Sequence, residues 1–184
     1  MAKVPKEVHI VAKGKGNELA PEDGEVWGVN DIVLRRDKLS MVFHMHDMDW
    51  IRRKEGKALE LIIAKATKNN VPIMTTKKYK WIPTSVAYPL DEIVEKFDSC
   101  YFGSSIDYMT AYALYKDYDI INWYGINMVI GFEYRTQKPS MEYWIGYCQG
   151  LGKKVKVHAG QYSNVLKTHD KKMYGYQLDQ FKTI

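Results

Sequence analysis

The sequence predicts a single α/β domain, in which a mostly parallel sheet of about six strands carries helices on both faces. Three observations lead to this fold class. Short β-rich apolar runs alternate along the chain with stretches of helical periodicity, a pattern typical of parallel sheets. The length of 184 residues suits one domain with a sizeable core. The first apolar run ends in a glycine-rich turn, as the first strand of many ligand-binding α/β domains does.

The elements follow one another in a regular order until the middle of the chain. The predicted strands are Glu7–Ala12, Glu25–Asn30, Leu39–Phe43, Val71–Thr75, Ile120–Tyr124 and Lys154–His158. Helices are expected at about 49–69, 90–97, 105–118 and 139–149. The stretch 76–98 breaks the rhythm and is interpreted as an irregular, lid-like insertion within one domain that spans residues 1–184. Residues 129–138 are expected to form a loop on the ligand side of the sheet.

The most informative stretch runs from Tyr101 to Met128. A glycine-serine turn is followed by a helix, a buried strand and a glycine, which together form half of a βαβ unit. Ser104 or Ser105 can cap the helix, and Asp107 lies in its first turn, where the helix dipole favours a carboxylate. Ligands in such sheets usually bind at the helix N-terminus and at the carboxyl end of the strand.

Composition narrows the function classes. Hydrophobic residues make up 46% of the chain, and the formal net charge is +5. The positive charge favours acidic partners such as nucleotides, sugar phosphates or DNA, although simple solubility explains it equally well. The 14 Tyr and 5 Trp residues suit a ligand cleft, a homo-oligomer interface or a core. Two cysteines, no signal peptide and no membrane-spanning apolar run predict a cytoplasmic protein without a membrane partner.

Three groups of residues are candidates for chemistry. The turn Gly14-Lys15-Gly16 follows the first strand, where glycine lets a backbone approach a phosphate, but a tight turn would use the same residues. His44, His46 and Asp47 follow the third strand. They suit contacts to a nucleotide or substrate, capping of the next helix or, less well, metal ligation, and we therefore predict no metal.

The third group is Glu133, Tyr134 and Arg135, in the expected loop after the fifth strand. A carboxylate could act there as a general base, and a phenol and a guanidinium could hold a polar substrate. A solvated loop is the alternative. Glu133, His44 and His46 are the candidate catalytic residues, and Asp47, Tyr134 and Arg135 are the candidate substrate ligands.

The order of these motifs resembles the Rossmann-like superfamily that holds bacterial CMP-sialic-acid-dependent sialyltransferases and 6-hydroxymethylpterin-pyrophosphokinase-like domains. The chain looks most similar to small phage and prophage members. The resemblance runs from Val8 to about Leu166. It is carried by the glycine turn, by the polar ends of the second and third strands, by the stretch 104–114 and by the run 124–128. In this chain Gly-Ile-Asn stands where the family has Gly-Ile-Asp or Gly-Val-Asp, and no Pro-Ser follows the glycine turn.

The resemblance implies a nucleotide pocket and a nucleotide-sugar donor. The nucleotide-binding residues would be Gly14, Lys15, Gly16, Asn30, Ser104, Ser105, Gly125 and Asn127. It implies a glycosyltransferase-like or other nucleotide-dependent transferase, located in the host cytoplasm if the protein is phage-encoded. The alternative is a non-catalytic protein that sequesters a nucleotide or assembles with protein partners. A transferase that acts on DNA bases is a third, weaker hypothesis.

Overall fold

A computed structural model describes residues 4–129, 131–158, 162–176, 178 and 179, with the backbone alone at 133 and 134. Its centre is a seven-stranded sheet in the order β5-β4-β3-β2-β1-β6-β7. All six strand pairings in this sheet are parallel. The predicted fold class is therefore confirmed, with seven strands in place of about six. Among the described residues, no helix is long and apolar enough to cross a membrane.

The described residues form seven strands and five α-helices. The strands are β1 (Glu7–Val11), β2 (Val26–Val29), β3 (Met41–Phe43), β4 (Ile73–Thr75), β5 (Ser85–Ala87), β6 (Ile120–Tyr124) and β7 (Lys154–Val157). The helices are α1 (Met48–Lys68), α2 (Leu90–Phe97), α3 (Ser105–Tyr115), α4 (Gly131–Thr136) and α5 (Lys138–Gly150).

Helices cover both faces of the sheet, and the strands alternate between them. Val42 and Ile73 belong to the apolar cluster that contains the buried face of α1. Their neighbours Phe43 and Met74 belong to the cluster that contains α2, α3 and α5. Successive strand residues point to opposite faces, so a sheet buried on both sides needs continuous apolar strands. This explains the largely apolar run of β6, whereas the edge strand β7 alternates lysine and valine.

Two segments differ from the sequence prediction. The stretch 76–98 contains β5, which extends the sheet at one edge, followed by α2. A three-residue strand between Pro83 and Pro89 shows too little periodicity to be recognised. The stretch 129–138, which was expected to be a loop, contains the short helix α4, stabilised in part by a 2.7 Å hydrogen bond from the Thr136 hydroxyl to the Phe132 carbonyl oxygen.

Candidate functional site

A cavity of about 540 Å³ opens at the carboxyl ends of β1, β2 and β6. The chain leaves β1 towards β2 on one side and returns as β6 on the other side, so β1 and β6 flank the topological switch point of the sheet. Ligands of open α/β sheets bind at this position. The lining residues are Ala12, Lys13, Gly14, Val29, Asn30, His46, Gly103, Ser104, Ser105, Ile106, Gly125, Ile126, Asn127, Met128, Val129, Gln137 and Met141.

The cavity brings together about half of the residues predicted from the sequence. Those that line it are Gly14, Asn30, His46, Ser104, Ser105, Gly125 and Asn127. Those outside its lining are Lys15, Gly16, His44, Asp47 and Arg135. The side chains of Glu133 and Tyr134 lie outside the described part of the chain. The apolar lining residues were not predicted from the sequence. An apolar residue at the end of a strand or helix looks the same in sequence whether it lines a cavity or lies in the core.

The glycine turn is hydrogen-bonded to the residues that follow β6. The Gly14 amide donates to the Gly125 carbonyl oxygen at 2.9 Å, and the Asn127 side-chain amide donates to the Lys15 carbonyl oxygen at 3.1 Å. The Gly16 amide donates to the Glu18 carboxylate at 3.1 Å. Both amides of the glycine turn considered for phosphate contact, those of Gly14 and Gly16, therefore donate within the chain.

Gly14 itself is required by this contact. A Cβ atom there would lie 1.6 Å from Asn127 Oδ1 and 2.5 Å from the Gly125 carbonyl oxygen. Gly125 has a positive φ of 66°, a backbone conformation that residues with a side chain rarely adopt. The two glycines thus allow two loops to pack directly on each other and form one wall of the cavity.

Asn30 lines the cavity and carries an acceptor atom that has no hydrogen-bond partner among the described residues. It stands at the end of β2 with a φ of 53°, a left-handed conformation that Asn tolerates better than most residues. Its Oδ1 is buried, and no donor among the described residues hydrogen bonds to it. Leaving a buried acceptor unpaired costs about 1–3 kcal/mol. A hydroxyl or amine of a bound ligand would remove that cost.

The first turn of α3 forms another part of the lining, and a buried carboxylate organises it. Asp107 Oδ2 accepts hydrogen bonds from the Gly103 amide (2.7 Å), the Ser104 amide (2.8 Å) and the Ser140 hydroxyl (2.7 Å). The Ser104 hydroxyl in turn accepts from the Asp107 amide, which completes a capping box. Burial raises the pKa of Asp107 to about 6, against the opposing effect of these hydrogen bonds. The Ser104-x-x-Asp107 spacing was the sequence signal for this arrangement.

Ser105 is the first residue of α3, and its side chain lines the cavity. The amides of a first helical turn have no partner within the helix and carry a partial positive charge. The Asp107 amide bonds to Ser104, whereas the Ser105 and Ile106 amides have no acceptor among the described residues. The serine hydroxyl and these two amides can therefore bind an anion.

The two histidines after β3 have different environments. His46 is exposed and lines the cavity, whereas His44 is buried with its ring centroid 5.4 Å from that of His46. Burial, aided by the nearby His46, lowers the pKa of His44 to about 4. His44 is therefore neutral at neutral pH and is removed from the cavity, so His46 is the better placed of the two candidate bases.

Asp47 caps α1. Its side chain accepts from the Asp49 amide at 2.9 Å and the Trp50 amide at 3.1 Å. This is the helix-capping alternative considered for the predicted substrate ligand. Within the described ranges, no three His, Cys, Asp or Glu side chains are grouped so that they could hold a metal ion.

Arg135 lies in a second cavity of about 440 Å³ that adjoins the first. Val129 is part of both walls, and the other lining residues of the second cavity are Gly131, Asn164, His169 and Lys171. The last three come from the polar segment after β7, which showed no pattern in the sequence. Their position depends on how this segment folds back over the sheet, which local periodicity does not reveal.

Comparison with known proteins gives a fold-level match. No protein-family model and no curated protein sequence matches the chain. Among solved structures, the sialyltransferase CstII from Campylobacter jejuni in complex with cytidine-5'-monophosphate matches with a TM-score of 0.59 at 14% identity, over 85% of this chain and 81% of that chain. Monomeric CstII gives a TM-score of 0.61 at 14% identity, covering 86% and 83%. The monofunctional alpha-2,3-sialyltransferase Cst-I from the same organism gives 0.57 at 13%, covering 88% and 78%. The chain therefore has a sialyltransferase-like Rossmann-type fold.

Proposed function

We propose that the first cavity binds a nucleotide and that the protein is a glycosyltransferase-like enzyme with a nucleotide-sugar donor. The observation that carries the proposal is the position of the cavity, at the switch point of the sheet and against the first turn of α3. The fold adds support, because it is shared with sialyltransferases, one of which was solved with cytidine-5'-monophosphate. A cytidine nucleotide is therefore the first ligand to test.

The phosphate of the nucleotide would bind at the start of α3. Ser105 offers a hydroxyl and an amide there, and Ile106 offers a second amide. Backbone amides at a helix N-terminus bind anions through direct hydrogen bonds and through the helix dipole. Asn30 Oδ1 would accept from a ribose hydroxyl or a base amine, since its own acceptor capacity is unused within the described chain.

His46 would be the general base. It lines the cavity and is exposed, so an incoming hydroxyl can reach its ring. An imidazole that removes the proton from the acceptor hydroxyl contributes about 10²–10⁴-fold to a transfer rate. The other sequence candidate, His44, is buried and would act through its contact with His46.

A nucleotide-sequestering protein without catalysis is the second candidate function. Its support is that no Asp or Glu among the described residues lines the cavity, so that His46 is the one described acid-base side chain besides Lys13. Lys13 forms an ion pair of 2.8 Å with Asp31. Turnover distinguishes the two functions: the enzyme releases free nucleotide from the matching nucleotide sugar, and the sequestering protein does not.

The test is thermal stabilisation by a panel of nucleotides and nucleotide sugars. A ligand at 100 times its dissociation constant adds about 2.7 kcal/mol to the free energy of unfolding, which gives a clear shift in Tm. We expect CMP or CMP-sugars to stabilise the protein more than uridine or guanosine counterparts. Absence of stabilisation by every CMP-, UDP- and GDP-sugar, mononucleotide and cyclic dinucleotide would contradict nucleotide binding.

The variant Ser105→Glu tests the site directly. A carboxylate at the first helical position is favourable for α3 but repels phosphate from the cavity. We expect nucleotide stabilisation to be lost while the Tm of the free protein is maintained. The matched control is Leu90→Glu, which places the same charge at the first residue of α2, on an exposed side chain outside the cavity lining. Equal nucleotide affinity in the two variants would overturn the site assignment.

A further inference from the structure

A strongly basic region lies where α1 begins and where the chain leaves β4. Two short stretches form it, residues 49–54 at the start of α1 and residues 76–81 in the loop between β4 and β5. Their cationic side chains are all exposed and are Arg52, Arg53, Lys54, Lys77, Lys78 and Lys80. The same stretches contain Trp50 and Trp81. We name these six cations and two tryptophans the basic surface.

Direct contacts join the two stretches. The Met48 amide donates to the Tyr79 hydroxyl at 3.2 Å, and Tyr79 itself is buried. The Trp81 indole nitrogen donates to Asp49 Oδ1 at 3.3 Å, and Lys77 Nζ lies 3.7 Å from Asp49 Oδ2. The loop lysines are therefore held beside the first turn of α1, so that both stretches present one continuous surface.

Cations and aromatic rings are interleaved on this surface. The guanidinium carbon of Arg52 lies 4.6 Å from the centroid of the Trp81 ring, and Lys54 Nζ lies 4.2 Å from the centroid of the Trp50 ring. Trp50 is 44% exposed, although its indole is large and apolar. A cation over an aromatic ring keeps its charge and is attracted by the ring quadrupole. The surface therefore offers positive charge and flat π-systems side by side.

The acids of the same region leave an excess of positive charge. Three carboxylates belong to it, those of Asp47, Asp49 and Glu55, against the six cations. Asp47 accepts from two amides of α1, and Asp49 is engaged by Trp81 and Lys77. Of the six cations, Lys77 is the one that forms an ion pair with an acid in the described part of the chain. A surface with unpaired cations of this kind attracts polyanions.

We propose that the basic surface binds a single-stranded nucleic acid. The lysine and arginine side chains contact the phosphates, and unpaired bases stack on Trp50 and on the Arg52 guanidinium. These contacts involve phosphate and base but not the sugar 2′-hydroxyl, so they are common to DNA and RNA strands. The proposal does not depend on a ligand in the first cavity.

The aromatic side chains favour a single strand over two other polyanions. A duplex offers the same phosphates but keeps its bases stacked on one another, which leaves Trp50 without a partner. An anionic membrane surface is bound by a helix that buries an apolar face among the lipids. In the two stretches of the basic surface, which the structure describes completely, Trp50 is the one exposed large apolar side chain.

The experiment measures fluorescence anisotropy of labelled oligonucleotides of about 20 nucleotides: oligo(dT), oligo(U) and a DNA duplex. We expect the single strands to bind about tenfold more tightly than the duplex. If about four phosphates are neutralised, raising salt from about 50 to about 200 mM should weaken single-strand binding about 50-fold. Binding of either strand supports the proposal, and the difference between the two tells DNA from RNA. Binding of neither strand, or duplex binding as tight as theirs, overturns it.

Charge variants assign the binding to this surface. We expect Lys78→Gln and Lys80→Gln each to weaken single-strand binding about fivefold and to reduce the slope of log K against log salt by about 0.7. The matched control is Lys68→Gln, which removes the same charge from an exposed side chain in the last turn of α1, outside the basic surface. An equal loss in variant and control means a general charge effect and overturns the assignment.

A substitution of Trp50 tests the stacking. We expect Trp50→Ala to weaken single-strand binding about tenfold without a change in the salt slope, because a stacked base contributes without releasing counterions. Trp50→Phe keeps an aromatic face and should retain most of the affinity. The control Leu61→Ala shortens another exposed apolar side chain of α1 and should have no effect. Unchanged binding in Trp50→Ala contradicts the proposed stacking.

Two further probes exclude the other binding modes. Saturating CMP should change the affinity for the oligonucleotide by less than about twofold, since the basic surface lies outside the lining of the first cavity. Displacement of the strand by CMP would place it in that cavity and overturn the proposal. Phosphatidylserine vesicles are the second probe. If the protein binds these vesicles but no oligonucleotide, the surface is a membrane contact and the proposal is wrong.

Discussion

The Asp107 carboxylate accepts a 2.7 Å hydrogen bond from the Ser140 hydroxyl, which joins the first turn of α3 to the first turn of α5. Both residues are fully buried, and both adjoin residues that line the first cavity. Asp107 also accepts from the amides of Gly103 and Ser104. One buried acid therefore determines the shape of the cavity where it meets the two helices.

The first prediction concerns the pH dependence that Asp107 imposes. Its pKa is raised from 3.8 to about 6 by burial, so the folded protein holds a proton that the unfolded chain has released. The contribution of Asp107 to the free energy of unfolding therefore decreases as pH rises from about 4 to about 6, by about 3 kcal/mol. Asp107→Asn should remove this decrease, as measured by urea denaturation at several pH values.

Ser140→Ala provides the matched control for this measurement. It removes one hydrogen bond to the carboxylate but leaves a titrating acid in place, so the pH slope should persist. A wild-type slope between pH 4 and 6 that is identical in Asp107→Asn would show that another group is responsible.

The second prediction concerns His44, whose contribution to the free energy of unfolding changes with pH in the opposite direction. Its pKa is lowered from 6.5 to about 4 by burial, so below pH 6.5 the unfolded chain takes up a proton that the fold excludes. The contribution of His44 should therefore decrease as pH falls from about 6.5 to about 4, by about 3 kcal/mol. We expect the variant His44→Gln to lose this decrease in the free energy of unfolding at low pH. The variant His46→Gln, at an exposed position, should retain the decrease. The contrary result would place His44 in contact with solvent.

The opposite signs of the Asp107 and His44 contributions affect how the pH dependence of the free energy of unfolding is interpreted. Asp107 and His44 titrate over overlapping ranges with slopes of opposite sign, so the wild-type profile understates both. The single variants should diverge from it in opposite directions, and the double variant should return towards the wild-type slope because the two sites are separate.

The third prediction concerns Gly14. Its missing side chain lets the first turn pack on Asn127 and Gly125, and a Cβ atom would overlap both. We expect Gly14→Ala to reduce the free energy of unfolding by about 1–3 kcal/mol and to weaken nucleotide binding. Gly146→Ala is the control, because nothing lies within 4 Å of its added Cβ and it stands inside α5, where alanine stabilises by up to about 1 kcal/mol. A neutral Gly14→Ala would disprove the loop contact.

The fourth prediction uses the two cysteines as probes of burial. Cys100 is exposed, whereas Cys148 is buried in α5, and burial raises the pKa of its thiol to about 12. The thiolate is the reactive form, so Ellman's reagent should label one thiol quickly in the native protein and both in denaturant. Cys100→Ser should abolish the rapid native phase. Two fast native thiols would contradict the packing of α5.

The sequence predicted the fold better than the site. Strands such as β1 and β6 were recognisable because burial on both faces demands continuous apolar runs. The strand β5 was not, since three residues at a sheet edge need no pattern of their own. Gly14 and Asn30 were assigned to the cavity from their positions after strands, which is a property of the topology.

The remaining site residues depend on contacts between distant parts of the chain. The amides of Gly14 and Gly16 were expected to face a ligand, but their acceptors, Gly125 and Glu18, became apparent only in three dimensions. His169 and Lys171 reach the second cavity because Ser163 is anchored to Ile126. No local periodicity encodes that anchor.

The hydrogen bond between Gly14 and Gly125 extends the ladder of β1 and β6 beyond the last strand residues. Amide hydrogens in this wall should then exchange with solvent as slowly as those of the central strands, since opening it means separating the sheet itself. The same hydrogen bond limits how the glycine turn can change during evolution. Substitutions can alter the ligand contacts of the turn, but the turn cannot become a mobile flap while it is hydrogen-bonded to Gly125.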